Sequence, residues 1–361
     1  MKLKTQGVKM KIAIKILVIM AVFLIIGLDS AYAGGGTRNG TGGATELSIP
    51  VGARGIALGG SSLATETGLD ALFWNPAGVA NMSNSATASF SHMNYIANIG
   101  VEYGAVAANF AGFGVISFDI KSLNIGQIAV TTNDQPDGTG QTFNPQFLTA
   151  GLSFSKALTD RIAIGLTFNY ISETLAQVSS TGFAFNAGVQ YKDLGDIPGL
   201  NFGLVIRNIG PQMTYTGPGL TVSASPIGST ATPTDPFSRP PSFYSINAAG
   251  FDLPSAFDIG FGYTPKLDDM NSLQFSGVFE NNNFSGDVYN LGAEYGYNKT
   301  FFARLGYTMS PKDQDPNYIY GFTAGAGINY DLGGIDVKID YAYRSVKYFS
   351  ANHVFEISLG F

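Results

Sequence analysis

The sequence has no cysteine and few charged residues. Charged residues make up 13% of its 361 residues, about half the share of roughly 25% that soluble domains carry. The absence of cysteine excludes disulfide bonds, thiolate chemistry and cysteine-based metal sites. So little charge is unusual for a soluble domain and is typical of a chain that turns part of its surface to lipid.

Long apolar runs and basic clusters are also missing. Helical membrane proteins need several runs of about 20 apolar residues, and no such run follows the N-terminal region. The net charge is −6, and without a basic stripe we expect no nucleic-acid partner. No group of His, Asp and Glu has the spacing of a metal site, so we expect no metal and no cofactor. By contrast, the 46 Gly, 27 Phe and 18 Tyr residues favour a transmembrane β-barrel.

The N-terminus has the features of an export signal. Residues 1–33 combine a lysine-rich start, an apolar run and an Ala-Tyr-Ala cleavage motif at 31–33, which predicts a signal peptide rather than a membrane anchor. Residues 34–50 are rich in Gly and Thr, and we expect them to form a flexible periplasmic leader. We therefore predict that the mature protein resides in the cell outer membrane.

Beyond residue 85, apolar residues alternate with small or polar ones. The alternation is clearest over residues 161–174 and continues to the terminal Phe361, which resembles an outer-membrane assembly signal. One lipid face and one lumen face on each strand predict an all-β fold, a transmembrane antiparallel β-barrel of about 14 strands over residues 86–361. The two longest connections, about residues 122–145 and 216–254, join predicted strands 3 to 4 and 7 to 8. Both therefore fall on the extracellular side if the first strand starts from the periplasm.

One stretch breaks this alternation. Residues 51–85 are apolar and rich in small residues, but they fit neither an amphipathic helix nor an alternating strand. The chain must enter the barrel wall from the periplasm near residue 86, so the preceding apolar stretch needs a dry place. The lumen is the available place, and we predict that residues 51–85 form an N-terminal hatch inside it.

Charged residues in the C-terminal half of the chain fall on the face opposite the apolar one. These lumen-facing charges are Glu280, Glu294, Arg304, Asp336, Lys338, Asp340, Arg344 and Glu356. Opposite charges on neighbouring strands can neutralise each other and hold a segment inside the barrel. The functional alternative is a polar path for a solute, and we favour the structural interpretation.

Residues for catalysis are scarce. The only histidines are His92 and His353. Ser91 adjoins His92, and some outer-membrane lipid hydrolases use Ser and His on a barrel wall, but alternation places these two side chains on opposite faces. A nucleophile needs a base within hydrogen-bonding reach. We therefore predict no enzymatic activity and no catalytic residue.

The non-alternating stretch also carries a resemblance. GARGIALGGSSLATETGLDALFWNPAGVA, residues 52–80, resembles the N-terminal signature of the PorV/PorQ family within the wider FadL-like barrels. RNIGP at 207–211, LPSAFDIGFGY at 253–263 and FFARLGY at 301–307 are further matches. The resemblance implies a fourteen-stranded barrel whose N-terminal segment folds into the lumen as a hatch.

The resemblance also implies a hatch motif. Its Asn-Pro-Ala maps onto Asn75, Pro76 and Ala77, preceded by Trp74 as the bulkiest lumen contact. Pro76 fixes φ, and the Asn75 side chain can bond local backbone, so we expect a defined bend. The hatch charges that could pair with the acidic wall are Arg54, Glu66 and Asp70.

Two functions of different kinds follow from the resemblance. PorV/PorQ proteins act in type IX secretion, so secretion cargo C-terminal domains and other type IX components would be partners. FadL-like barrels pass hydrophobic molecules through a lateral wall opening, so a hydrophobic ligand would be the partner. Outer-membrane lipid surrounds the barrel in either case. We favour the secretion role and keep the transporter as the alternative.

Overall fold

A computed structural model describes residue 38 and residues 40–224 and 242–361 of the chain. The predicted signal peptide therefore lies outside the described residues, and so do residues 225–241 of the long connection predicted at about 216–254. Within the described part, no helix has the length and hydropathy needed to span a bilayer.

Fourteen antiparallel strands close into one barrel, in which each strand pairs with its sequence neighbours and the first pairs with the last. The strands are β1 (Ala86–Asn94), β2 (Gly100–Phe110), β3 (Gly114–Asn124), β4 (Gln146–Ala157), β5 (Ile162–Leu175), β6 (Val178–Tyr191), β7 (Leu200–Ile209), β8 (Ala256–Tyr263), β9 (Asn271–Asn282), β10 (Val288–Tyr297), β11 (Phe301–Met309), β12 (Tyr320–Asp331), β13 (Asp336–Val346) and β14 (Asn352–Gly360). The predicted fold class, an antiparallel β-barrel of about 14 strands, is confirmed.

Alternation along the strands separates a lipid face from a lumen face. On β5, Leu166 and Phe168 are exposed on the outside, whereas Thr167 and Asn169 are buried on the inside. The pairing of β1 with β14 leaves no open edge, so the backbone of the wall meets its hydrogen-bonding needs internally, as lipid requires.

The two ends of the barrel differ. At one end, here called the turn end, the strands are joined by short connections such as residues 111–113 and 298–300. At the other, the loop end, the connections include residues 125–145 and 210–255. Two small hairpins lie within these long connections, namely Ile128–Ala129 with Thr142–Phe143 and Thr221–Ala224 with Ser242–Ser245.

The N-terminal segment, residues 40–85, runs through the barrel from the loop end to the turn end. The Gly43 amide donates to the Asp252 carbonyl at the loop end, and the Ser85 amide donates to the Phe361 carbonyl at the turn end. Its helical elements are short: 3-10 helices at Thr45–Ser48, Gly68–Asp70 and Pro76–Asn81, and helices α1 (Ala53–Ala57) and α2 (Ala71–Trp74).

The second half of the expected flexible leader is ordered. Glu46 and Leu47 are buried at the loop end, where Leu47 packs with Ile171 and Met213. The carbonyls of this turn accept hydrogen bonds from Lys121 of β3. The prediction of a flexible periplasmic leader over residues 34–50 is therefore wrong from Gly40 onward, because Leu47 and the turn carbonyls find partners inside the barrel.

Glycines of the wall let the N-terminal segment approach closely. A Cβ on Gly165 would lie 2.3 Å from the Pro76 carbonyl carbon, and one on Gly188 would lie 2.0 Å from Asn75 Oδ1. Neither distance is possible for a real side chain. The inner surface of β5 and β6 is therefore shaped to receive this bend of the segment.

We expect Gly188→Val to displace the N-terminal segment, because its Cβ would occupy the position of the Asn75 carboxamide. Arg54 is the only Lys or Arg between Arg38 and Lys121, so trypsin reports on the segment at one site. The variant should be cleaved after Arg54 while the wild type resists, as seen by mass spectrometry. Gly277→Val is the matched control, since the only side chain that a Cβ at Gly277 would meet is Leu291, at 3.4 Å. Equal resistance of both variants would contradict the close fit.

Candidate functional site

Asn75 joins the bend of the N-terminal segment to the barrel wall. It is fully buried, and its Oδ1 accepts from the Ala77 amide at 3.1 Å, which caps the helix that Pro76 begins. Its Nδ2 donates to the carbonyls of Leu63, at 3.2 Å, and of Val189 on β6, at 3.1 Å. One side chain therefore fixes the local turn, its position in the segment and its position on the wall.

The residues around Asn75 are packed on all sides. The Pro76 carbonyl accepts a 2.7 Å hydrogen bond from the Ser155 hydroxyl of β4, and Ala77 is fully buried. The Trp74 ring meets Phe73 edge to face at 5.1 Å and lies so close to Gly55 that no side chain fits there. The four residues of the predicted hatch motif thus lie in contact with the wall or the segment itself; their functional role stays a prediction.

A buried chain of ion pairs links the N-terminal segment to three strands. Arg54 pairs with Glu66 in the segment and, through two hydrogen bonds of 2.9 and 3.0 Å, with Glu294 of β10. Glu294 also accepts from Arg304 of β11 at 2.6 Å, and Arg304 pairs with Asp340 of β13. No side chain in this network is more than 14% exposed.

The charge of Arg54 is stabilised by its partners. Burial by itself disfavours a charged guanidinium, but Glu294 and then Glu66 outweigh it and hold the pKa of Arg54 well above its ordinary value. Burial raises the pKa of the Glu66 carboxyl, and the attraction of Arg54 offsets this only in part. Arg54 is therefore the fixed positive centre of the network.

The other predicted charges also contact named groups. Asp70 lies 3.9 Å from Lys338, and Glu356 accepts from the Ala53 amide at 2.6 Å. Further contacts are Asp336 with the Asn84 amide, Glu280 with Arg207 and Arg344 with the ring of Tyr320. The structure thus brings half of the eight predicted lumen-facing charges into contact with the N-terminal segment, and the other half contact the wall. Those that contact the segment are Glu294, Asp336, Lys338 and Glu356, and those that contact the wall are Glu280, Arg304, Asp340 and Arg344.

Sequence reasoning missed a second polar cluster near the loop end. Lys121 of β3 is buried and donates to the Glu46 carbonyl at 2.7 Å, while Glu173 of β5 accepts from the Tyr215 hydroxyl. Burial, followed by the charge of Glu173, raises the pKa of Glu46 to about 8. Strand parity places Lys121 and Glu173 inside, so the same alternation rule could have found them in the N-terminal half.

Arg207 of β7 was likewise not selected from the sequence. It pairs with Asp258 of β8 at 2.8 Å and with Glu280 of β9 at 3.3 Å. Ser91 points into the lumen and is buried, whereas His92 contacts Glu102 at 2.6 Å on the outer face. Among the described residues no group of three or more acidic or histidine side chains is arranged to hold a metal ion.

Comparison with solved structures gives the fold class. A solved structure described as "CymD monoaromatic hydrocarbon channel" matches this chain with a TM-score of 0.52 at 14% identity. The match covers 87% of this chain and 98% of that one. The toluene transporter TbuX of Ralstonia pickettii gives 0.52 at 14% identity, over 86% and 98%, and the toluene transporter TodX of Pseudomonas putida gives 0.51 at 12%, over 86% and 96%. No protein-family model and no curated protein matches the chain.

These similarities establish an outer-membrane β-barrel of the FadL-like fold. The predicted outer-membrane location is confirmed, and so is the FadL-like part of the resemblance at the level of the fold. The PorV/PorQ family and a part in type IX secretion stay predictions.

Arg54→Ala should unlock the N-terminal segment, because it leaves Glu66 and Glu294 buried without their cation. Removing one partner of a buried ion pair costs about 3–5 kcal/mol, enough to raise an open population by more than about a hundredfold. Single-channel recording in planar bilayers should show discrete openings that the wild type lacks. Arg38→Ala is the matched control, since Arg38 and Asp252 are 51% and 40% exposed. If the two variants conduct alike, the network does not hold the segment.

Asn75→Ala and Pro76→Ala should both increase leak through the barrel, Asn75→Ala more strongly. The first removes three hydrogen bonds from a buried site, each contributing about 1 kcal/mol. The second frees the backbone at a cost of about 0.4–1 kcal/mol. Conductance in planar bilayers measures both. A leaky Pro76→Ala beside a silent Asn75→Ala would show that the proline, not the amide, sets the bend.

Proposed function

We propose that the chain is an outer-membrane channel for hydrophobic small molecules, which leave the lumen sideways through the wall near β6. The observation that carries this proposal is a discontinuity of the wall at Asn186, where an inner cavity and an outer groove adjoin.

The ladder between β6 and β7 is irregular at this point. Phe185 lies opposite Ile209 and Ala187 lies opposite Ile206, so Asn186 faces two residues of β7. Asn208 has a φ of 57°, and its backbone N–H donates to the side-chain Oδ1 of Asn186 at 2.7 Å. Such a bulge disrupts the ladder locally, and here a side chain supplies the hydrogen bond that the backbone partner does not.

Thr167 and Asn186 line a cavity on one side of the wall and a groove on the other. The inner cavity measures about 40 Å³ and is lined partly by Leu72 and Phe73 of the N-terminal segment. The outer groove measures about 710 Å³ and has apolar walls, with the small Ala187 among its lining residues. A single layer of wall separates the two.

The path is closed in this conformation. An apolar cavity that accepts benzene measures about 150 Å³, far more than the inner cavity here. Passage therefore requires the N-terminal segment to move, which makes residues 51–85 a hatch in the sense that the sequence predicts. The ion pairs of Arg54 and the hydrogen bonds of Asn75 would hold this hatch shut.

The solved structures support the same class of substrate. They are described as a monoaromatic hydrocarbon channel and as toluene transporters. At 12–14% identity the likeness carries only the fold, so the substrate class is inferred here from the apolar groove and from those descriptions together.

A second candidate is the type IX secretion role that the PorV/PorQ resemblance implies. The observation that favours it is an apolar patch at the loop end, where Phe243 is 81% exposed and Tyr244 and Ile246 are also exposed. Such patches mark protein contacts. Pull-down of a type IX cargo C-terminal domain should then succeed with the wild-type barrel and weaken with Phe243→Ser.

Ala187→Trp should block the transport that we propose by filling the outer groove. Uptake of radiolabelled toluene, measured in a Gram-negative host without such a channel, should fall from the wild-type rate to that of the empty host. Val189→Trp is the control, because Val189 is exposed on the same strand outside the groove. Unaltered uptake by Ala187→Trp would rule out the lateral route, and uptake by the wild type no faster than by the empty host would rule out the function.

A further inference from the structure

Two facing residues near the loop end carry buried polar atoms without partners. Arg344 of β13 lies directly opposite Asn352 of β14. Asn352 is fully buried, yet neither its Oδ1 nor its Nδ2 has a hydrogen-bond partner among the described residues, and the same holds for Nη1 of Arg344. An unpaired buried polar group costs about 1–3 kcal/mol, so three such atoms on one residue pair point to a missing occupant.

Arg344 also differs from the other arginines of the lumen. Arg54, Arg207 and Arg304 each pair with two carboxylates. Within residues 40–224 and 242–361, no carboxylate lies within ion-pair distance of Arg344. Among the arginines that face the lumen in these ranges, Arg344 is therefore the one without a carboxylate partner.

Tyrosines form the rest of the site. The Arg344 guanidinium carbon lies 3.4 Å from the ring centroid of Tyr320, a stacking geometry that leaves the guanidinium edge free to bind a planar anion. The hydroxyls of Tyr320 and Tyr95 are 2.7 Å apart, so one of the two protons is free to donate elsewhere. Tyr318 meets Tyr320 edge to face at 5.8 Å.

Most side chains of this site are partly exposed. Arg344, Tyr320 and Tyr95 are each partly exposed, whereas Asn352 forms the buried floor. A ligand entering here would meet the guanidinium and a tyrosine ring first and the amide last.

We propose that Arg344 and Asn352 bind the carboxylate of a small, largely apolar acid, an aromatic carboxylate being the best match. The guanidinium edge and the Asn352 amide donate to the carboxylate oxygens, as charge-assisted pairs do, and the ring of the ligand lies among the tyrosines. The role of this site in binding a substrate rests on the proposed transport function. It adds to that proposal that the transported molecule carries an acidic head group. Binding in detergent is measured without transport, so either can fail alone.

Isothermal titration calorimetry with benzoate and the purified full-length barrel in detergent micelles tests the site. The wild type should bind benzoate and not the uncharged benzyl alcohol. Arg344→Gln should weaken benzoate binding roughly tenfold or more, through loss of a charge-assisted pair. Lys347→Gln, which removes the same charge from an exposed position nearby, should bind as the wild type does.

Asn352→Asp gives an independent arm that does not depend on a weakened fold. Its carboxylate would sit opposite Arg344 and supply the missing anion from within the chain, so benzoate binding should be lost while the unfolding temperature, followed by fluorescence of the single Trp74, rises. Absent benzoate binding by the wild type, or equal affinities of Arg344→Gln and Lys347→Gln, would overturn the proposal. So would unchanged binding by Asn352→Asp.

Discussion

The closed hydrogen-bond ladder is the constraint on which this structure depends. In lipid, every backbone amide and carbonyl needs a partner within the protein, and the pairing of β1 with β14 meets that need around the whole wall. Closure also decides that alternate residues face inward, where the charged ones find no lipid and little water. The N-terminal segment then supplies what these inward charges lack, with Arg54 placed between Glu66 and Glu294.

Polar contacts hold the N-terminal segment in the barrel beside an apolar cluster in which Ile56 and Leu72 pack with Val101 of the wall. Asn75 donates a hydrogen bond to β6, and Glu356 accepts one from the Ala53 amide. Lys121 donates to backbone carbonyls near the start of the segment. Each of these contacts joins a different part of the segment to a different strand of the wall. Breaking one of these pairs is therefore expected to loosen the segment where it meets that part of the wall.

Two places in the wall carry the proposals made above, and they lie on opposite sides of the barrel. At Asn186 the ladder is interrupted between a small inner cavity and an apolar outer groove. At Arg344 and Asn352 polar atoms remain unpaired. A buried polar group without a partner, or an interrupted ladder, is a position at which a ligand can supply a contact that the chain does not. Together they suit a molecule with an apolar body and a small acidic head.

The sequence by itself determined the barrel, its strand number and the inward face of each strand, because a period of two in a closed sheet leaves few alternatives. It also marked residues 51–85 as a stretch in need of burial. It did not reveal that Gly40 to Pro50 continue through the lumen to the loop end, since that path depends on Leu47 and Lys121 meeting in space.

Only the tertiary structure decided which charges pair. Arg54 is 240 residues from Glu294 in sequence, and nothing in the local pattern distinguishes Arg304, which is paired, from Arg344, which is not. The bulge at Asn186 likewise cannot be predicted from the alternation along one strand, because it depends on the register between two paired strands. Local periodicity therefore fixed which way the side chains point, whereas the meeting of distant strands fixed their partners.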